Sequence, residues 1–135
     1  RAAAAAAPGS VTVERADVMN LPFEHDSFDA AVSALVLCSV PDPARALAEL
    51  RRVVRPGGEL RLFEHVRSDR GWVSVIQRIA TPLWRIPADG CRLDRDTERA
   101  VTEAGFETIS SERRSLGLPH ILLSARPPGE PASER

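Results

Sequence analysis

Glu64 and His65 lie near the end of an apolar run, Glu59 to Val66, that reads as a strand, and a histidine there can accept a proton near neutral pH. General-base chemistry is one role open to it. Lining a pocket or the core is the other, because a base must also lie within hydrogen-bond reach of its proton, which spacing alone does not supply. Asp17 stands just past another strand-like run, Val11 to Arg15. A carboxylate there either caps its own turn or points into the crevice outside the carboxyl ends of an open α/β sheet. Ser33 and Cys38 lie near the end of a third run, Phe28 to Leu37, where Cys38 reads equally well as a small buried hydrophobe. Cys38 and Cys91 have neither the spacing nor the His and Cys neighbours of a zinc site, so no metal is expected, and two thiols make no disulfide framework. His25, in a polar loop, and His120, at a strand start, carry weaker signals.

Alternating strands and helices would position these residues. Phe28 to Leu37 is almost continuously apolar, the pattern of a central strand buried on both faces of a parallel sheet. Asp42 can cap free amides and Pro43 suits the first helical position, so a helix follows at once. Leu47, Leu50 and Val54 share one face of it, with Arg45 and Glu49 paired on the solvated side. Arg55-Pro56-Gly57-Gly58 ends that helix, and strand, helix, strand implies a right-handed crossover.

Trp72, Val75, Ile76, Ile79 and Leu83 recur at helical spacing, predicting an amphipathic helix, interrupted at Pro82, whose apolar stripe ordinarily faces its own sheet; the alternative is that Trp72 and Trp84 floor an apolar acceptor pocket or rest against a membrane surface. Asp94 or Asp96 caps a further helix that runs to Ala104 and ends at Gly105. Glu107–Ser115 and His120–Arg126 then read as an antiparallel hairpin. Ala2 to Ala7 looks like the end of a longer helix, broken by Pro8-Gly9-Ser10. Residues 1–126 form one partial domain, and the Pro-, Glu- and Ser-rich residues 127–135 a disordered tail.

Eighteen basic residues against nineteen acidic ones supply no field for gripping a phosphate backbone, so no nucleic-acid partner is expected. All eighteen are arginine, an imbalance that reads first as the codon bias of a GC-rich genome, although it also favours bidentate ion pairs. No apolar run reaches the roughly 18 residues of a membrane span, and two unpaired thiols fit a reducing, cytoplasmic setting.

Three ordered blocks carry a resemblance: Ala16-Asp17-Val18-Met19-Asn20-Leu21-Pro22-Phe23, Ser27-Phe28-Asp29-Ala30, and Arg55-Pro56-Gly57-Gly58. Together they resemble the second half of class I S-adenosylmethionine-dependent methyltransferases of the ubiquinone-methylase-like type. Leu35-Val36-Leu37-Cys38-Ser39-Val40-Pro41-Asp42-Pro43, Glu64-His65-Val66-Arg67-Ser68 and Ala104-Gly105-Phe106 look closer still to the members related to thiol and phosphatidylethanolamine methylases. The resemblance spans roughly Val11 to Arg126 and implies S-adenosyl-L-methionine as cofactor, with a small-molecule or lipid-like acceptor. It implies that the Asp17 carboxylate takes the adenine amino group and that the Val18 N–H meets a ring nitrogen. Ser33 and Cys38 would approach the methionine side, and His65 the acceptor.

The fold class expected is therefore α/β: a partial Rossmann-like class I methyltransferase sheet, helices on both faces, with a C-terminal antiparallel hairpin. The glycine-rich loop and the ribose-binding acid of that family have no counterpart here, so its first two strands are expected to be absent. An open apolar strand edge would follow, and with it self-association through that edge. The alternative to an enzyme is a non-catalytic methyltransferase remnant that serves as an interaction module. A nicotinamide-dependent dehydrogenase shares the α/β pattern but needs the same missing glycine fingerprint.

Overall fold

Leu60, Leu62, Glu64 and Val66 alternate with Arg61, Phe63 and His65, and this period of two sets the strand on which the sheet is built. The computed structural model describes residues 10–116 and 118–129. The expected helix end before Pro8 and most of the C-terminal tail lie outside these residues. Four strands, β1 (Phe28–Ala34), β2 (Val54–His65), β3 (Glu107–Leu116) and β4 (Leu118–Arg126), form one sheet in the order β1-β2-β4-β3. β1 runs parallel to β2, and β4 runs antiparallel to both β2 and β3. Helix α1 (Pro43–Val53) crosses between the parallel strands, α2 (Gly71–Trp84) follows β2, and α3 (Thr97–Glu103) precedes the hairpin.

Local chemistry explains the helix ends. The Asp42 carboxylate accepts the Arg45 N–H at 3.0 Å with Pro43 in the first turn, and Asp96 accepts the Arg99 N–H at 3.2 Å. Gly105, at φ +82°, ends the last helical turn after α3 in the left-handed conformation that glycine adopts without strain. Ala46, Leu47 and Leu50 of α1 are buried against Leu60, Leu62, Ile121 and Leu123 of the sheet, with Val101 of α3 and Phe106 closing the core. Burying each Leu, Ile or Val side chain stabilises by about 1.5–3 kcal/mol, so this one face carries most of the fold's apolar stabilisation.

Several expectations are corrected. Val11 to Arg15 forms no strand: among the described residues it has no ladder partner, and Val11 and Val13 stay exposed. Phe28 to Leu37 is not buried on both faces; among the described residues it is the open apolar edge expected where no earlier strand pairs with it. It stops at Ala34, before Leu35 turns to φ +57°, and it lies at the sheet edge with Val32 76% exposed. The apolar stripe of α2 does not face the sheet either, since Trp72, Ile76, Ile79 and Leu83 are exposed while Gln77 and Thr81 are buried. The Gln77 amide accepts the Ser68 N–H at 2.7 Å and donates to the Val66 carbonyl at 3.2 Å. Polar contacts at the end of β2 thus choose which side of the helix turns inward.

Glu49 does not pair with Arg45 as the spacing implied. Arg52 donates to both Glu49 oxygens at 2.9 and 2.8 Å, and to the carbonyls of Phe23 at 2.7 Å and Leu21 at 3.0 Å. Glu49 in turn accepts the Leu21 N–H at 2.8 Å. The Leu21-Pro22-Phe23 segment is therefore strapped to α1 by one ion pair. Hydrogen bonds from Arg52 hold the Glu49 carboxyl at about 2, well below its ordinary 4.5. A carboxyl with a lower folded than unfolded pKa adds stability that is complete above the unfolded value and lost as pH falls through the folded one. Glu49→Gln is expected to cost about 1–2 kcal/mol at neutral pH, and its deficit should shrink between pH 4.5 and 2. Acid titrations of both proteins followed by circular dichroism measure this; curves that stay parallel through that window would refute it.

Candidate functional site

The carboxyl ends of β1 and β2 lie side by side, with the segment Leu35–Val40 lying beyond β1, and this is where open α/β sheets place their ligands. Glu64, on the core-facing register of β2 and fully buried, organises that segment. One of its oxygens accepts the Ser33 hydroxyl at 3.0 Å and the N–H groups of Val36 and Leu37 at 3.1 and 3.0 Å. The other accepts the Cys38 N–H at 3.1 Å. From the opposite side, Arg95 donates to the Leu37 carbonyl at 2.7 Å and the Val40 carbonyl at 2.5 Å. An anion thus gathers the segment's amides while a cation gathers its carbonyls.

This clamp brings together three residues that are far apart in sequence. The Sγ atoms of Cys38 and Cys91 are 3.5 Å apart, and the His65 Nδ1 lies 3.4 Å from Cys91 Sγ and 3.9 Å from Cys38 Sγ. Both thiols are buried and His65 is half-buried. Cys91 is set in place by the adjoining backbone, where the Arg92 N–H donates to the Cys38 carbonyl at 2.8 Å. The expectation that Cys38 and Cys91 lack His and Cys neighbours is thereby corrected. Fifty-two intervening residues hid a proximity that only the crossover and the return through α2 create.

Burial pushes the Cys38 thiol up to about 12. Burial, with the nearby His120 ring, lowers the His65 imidazole below its ordinary value. His120 pairs with His65 across β2 and β4, its ring 4.4 Å away, and stacks on Phe63 at 5.0 Å. Its Nδ1 lies 2.7 Å from the Leu118 carbonyl, the contact of a satisfied structural histidine.

The other candidates are scattered. Asp17 is exposed and its Oδ1 accepts the Met19 N–H at 2.9 Å, the self-capping turn of an aspartate, which leaves its second oxygen available to a ligand. Val18 is half-buried against the core. The Ser33 hydroxyl and the Cys38 N–H are both committed to Glu64. Of the residues expected to cradle S-adenosylmethionine, then, Asp17 keeps one carboxylate oxygen free to accept a donor, whereas Ser33 and the amides of residues 36–38 have no free donor to offer. Spacing missed Cys91, Arg52 and Arg95. Glu64 did leave a signal: a carboxylate on the register of Leu60, Leu62 and Val66 occupies a core-facing position, where charge is rare unless partnered.

A parallel strand pair with a crossover helix, ended by an antiparallel hairpin and with a polar clamp at its carboxyl edge, defines part of a Rossmann-like methyltransferase sheet. The chain aligns with a SAM-dependent methyltransferase from Methanosarcina mazei at a TM-score of 0.71 and 23% identity, covering 96% of this chain and 76% of that one. Residues 1–62 match the methyltransferase domain family. The chain is 42% identical to the thiol S-methyltransferase TMT1B of Homo sapiens over 106 residues, covering 73% of this chain and 43% of that protein. It is 32% identical to the 2-phytyl-1,4-naphtoquinone methyltransferase of Synechococcus elongatus over 105 residues, 78% of this chain and 45% of the relative. The chain belongs to the class I S-adenosylmethionine-dependent methyltransferases. It spans about two-fifths of the length of the thiol methyltransferases it matches.

Proposed function

We propose that this chain carries the adenine-binding turn and the acceptor side of an enzyme that moves a methyl group from S-adenosylmethionine to a small or lipid-like acceptor. The observation that carries the reading is the clamped Leu35–Val40 segment at the carboxyl ends of the parallel strands, in a chain whose relatives are methyltransferases. When bound, the cofactor supplies an electrophilic methyl on a sulfonium, so the protein's task is chiefly alignment and exclusion of water. Asp17 and Val18 would hold the adenine. His65, whose neutral form burial favours, would line the acceptor side and is competent to take a proton there. The exposed stripe of Trp72, Ile76, Ile79 and Leu83 on α2 supplies apolar surface suited to a hydrophobic acceptor.

Calorimetric titration of S-adenosylhomocysteine tests the reading, into the chain itself and into a version extended upstream by its reading frame. Binding by the extended protein is expected, weakened about tenfold by Asp17→Ala, the worth of one hydrogen bond to a charged group. Absence of binding in both versions would defeat it. The second reading, an interaction module, is favoured by the edge of β1, which has no second strand partner among the described residues and where Val32 is exposed. A concentration-dependent dimer that Val32→Lys abolishes, together with no ligand binding, would establish it.

A further inference from the structure

Cys38, Cys91 and His65 come from three separate elements yet converge to within 3.4–3.9 Å of one another. We propose that they form a binding site for a zinc-class divalent ion, with two thiolates and one imidazole as protein ligands. Donor chemistry and geometry agree. Zinc sits about 2.3 Å from sulfur and about 2.0–2.1 Å from nitrogen, so at tetrahedral angles the sulfur–sulfur edge is about 3.8 Å and each sulfur–nitrogen edge about 3.6 Å. The observed edges of 3.5, 3.4 and 3.9 Å straddle those values, so the ion fits with shifts of a few tenths of an ångström.

The donors are held through backbone contacts, and of their ligand atoms Cys38 Sγ also meets the Ser39 hydroxyl at 3.7 Å, a hydrogen bond that a metal-bound thiolate can accept. Cys38 is fixed through its N–H on Glu64 and its carbonyl under the Arg92 N–H, and His65 by the β2–β4 ladder. The Cys91 N–H donates to the Ala88 carbonyl at 2.9 Å, just after a turn in which Asp89 and Gly90 both take positive φ. Two soft sulfurs and one imidazole select zinc, or cobalt as its spectroscopic substitute, over magnesium or calcium, which take oxygen ligands. Three protein ligands leave one tetrahedral position open, and water or a small thiol is the class of ligand it would take. With the ion on its Nδ1, His65 would line the acceptor side without taking a proton there, and the site can be tested on the chain without any methyl donor.

The test is a titration of the reduced full chain with Co²⁺ alone under anaerobic conditions. One equivalent is expected to produce a thiolate-to-cobalt charge-transfer band in the near ultraviolet and the visible bands of a tetrahedral ion, both displaced by Zn²⁺. Cys91→Ser should weaken binding by at least about a hundredfold, more than the loss of a supporting contact costs. Should that variant fail to fold, the wild-type chain still decides: Zn²⁺ should protect Cys38 and Cys91 from alkylation, read by peptide mass spectrometry. Absence of the charge-transfer band would overturn the site, as would alkylation indifferent to Zn²⁺, or two thiols that pair as a disulfide while the reduced chain takes up no metal.

Discussion

Glu64→Gln is expected to destabilise the chain by about 3–5 kcal/mol, with its urea midpoint lowered and the slope of the transition unchanged. The carboxylate accepts four hydrogen bonds in a fully buried position: from the Ser33 hydroxyl and from the N–H groups of Val36, Leu37 and Cys38. Glutamine keeps the shape but turns one oxygen into an NH₂ group, so at least one amide of the segment would face a donor. A buried donor left without its acceptor costs about 1–3 kcal/mol, and hydrogen bonds to a charged group are worth more than neutral ones. Arg95 cannot compensate, because a guanidinium only donates and the orphaned groups are N–H donors. Removing Glu64 should therefore also loosen Cys38, and faster alkylation of that thiol would report it. A loss under about 1 kcal/mol, smaller than one unmade buried hydrogen bond, would mean that water enters and replaces the carboxylate.

What the sequence revealed follows from whether each feature is local. The Asp42 cap, Pro43 in the first turn and the stop at Gly105 depend on neighbours within one helical turn, and each appears where spacing puts it. The hairpin came within a few residues of its observed bounds for the same reason. Val11 to Arg15 has a strand's alternation, yet a strand also needs a ladder partner, which alternation does not provide. The stripe on α2 shows the same limit: periodicity marks two faces of a helix, but Gln77 and its bonds to residues 66 and 68 decide which one turns inward. The Cys38–His65–Cys91 cluster is wholly tertiary, so no spacing rule reaches it. Glu64 lies between these cases. Its core-facing register is visible in the sequence, but the amides it collects are not.

Gly58→Ala is expected to cost about 2–3 kcal/mol or more, whereas Gly57→Ala, one residue earlier, should cost only about 1 kcal/mol. The two glycines look interchangeable in the motif, but they serve different physical ends. Gly57 adopts φ +73° with open space around it, so a methyl group there meets only the backbone's own preference against left-handed geometry. Gly58 needs no unusual φ. A Cβ there would lie 2.7 Å from the Asp29 carbonyl, 2.7 Å from Val54 Cγ1 and 2.9 Å from the Arg55 carbonyl. Two of those three neighbours are backbone, one on β1 and one on β2 itself, so relief requires moving β1 away from β2 where the register already shifts between Phe28 and Ala30. The clash therefore acts on the parallel pairing, and through it on the Ser33–Glu64 contact at the far end of the same two strands. Thermal melts of the two variants separate the effects. Gly57→Asn, whose residue tolerates the left-handed region, should recover most of the Gly57→Ala loss, while no substitution at position 58 should match glycine. Equal losses at the two positions would mean that β1 yields freely, and that its pairing with β2 is too weak to hold the clamp above it in place.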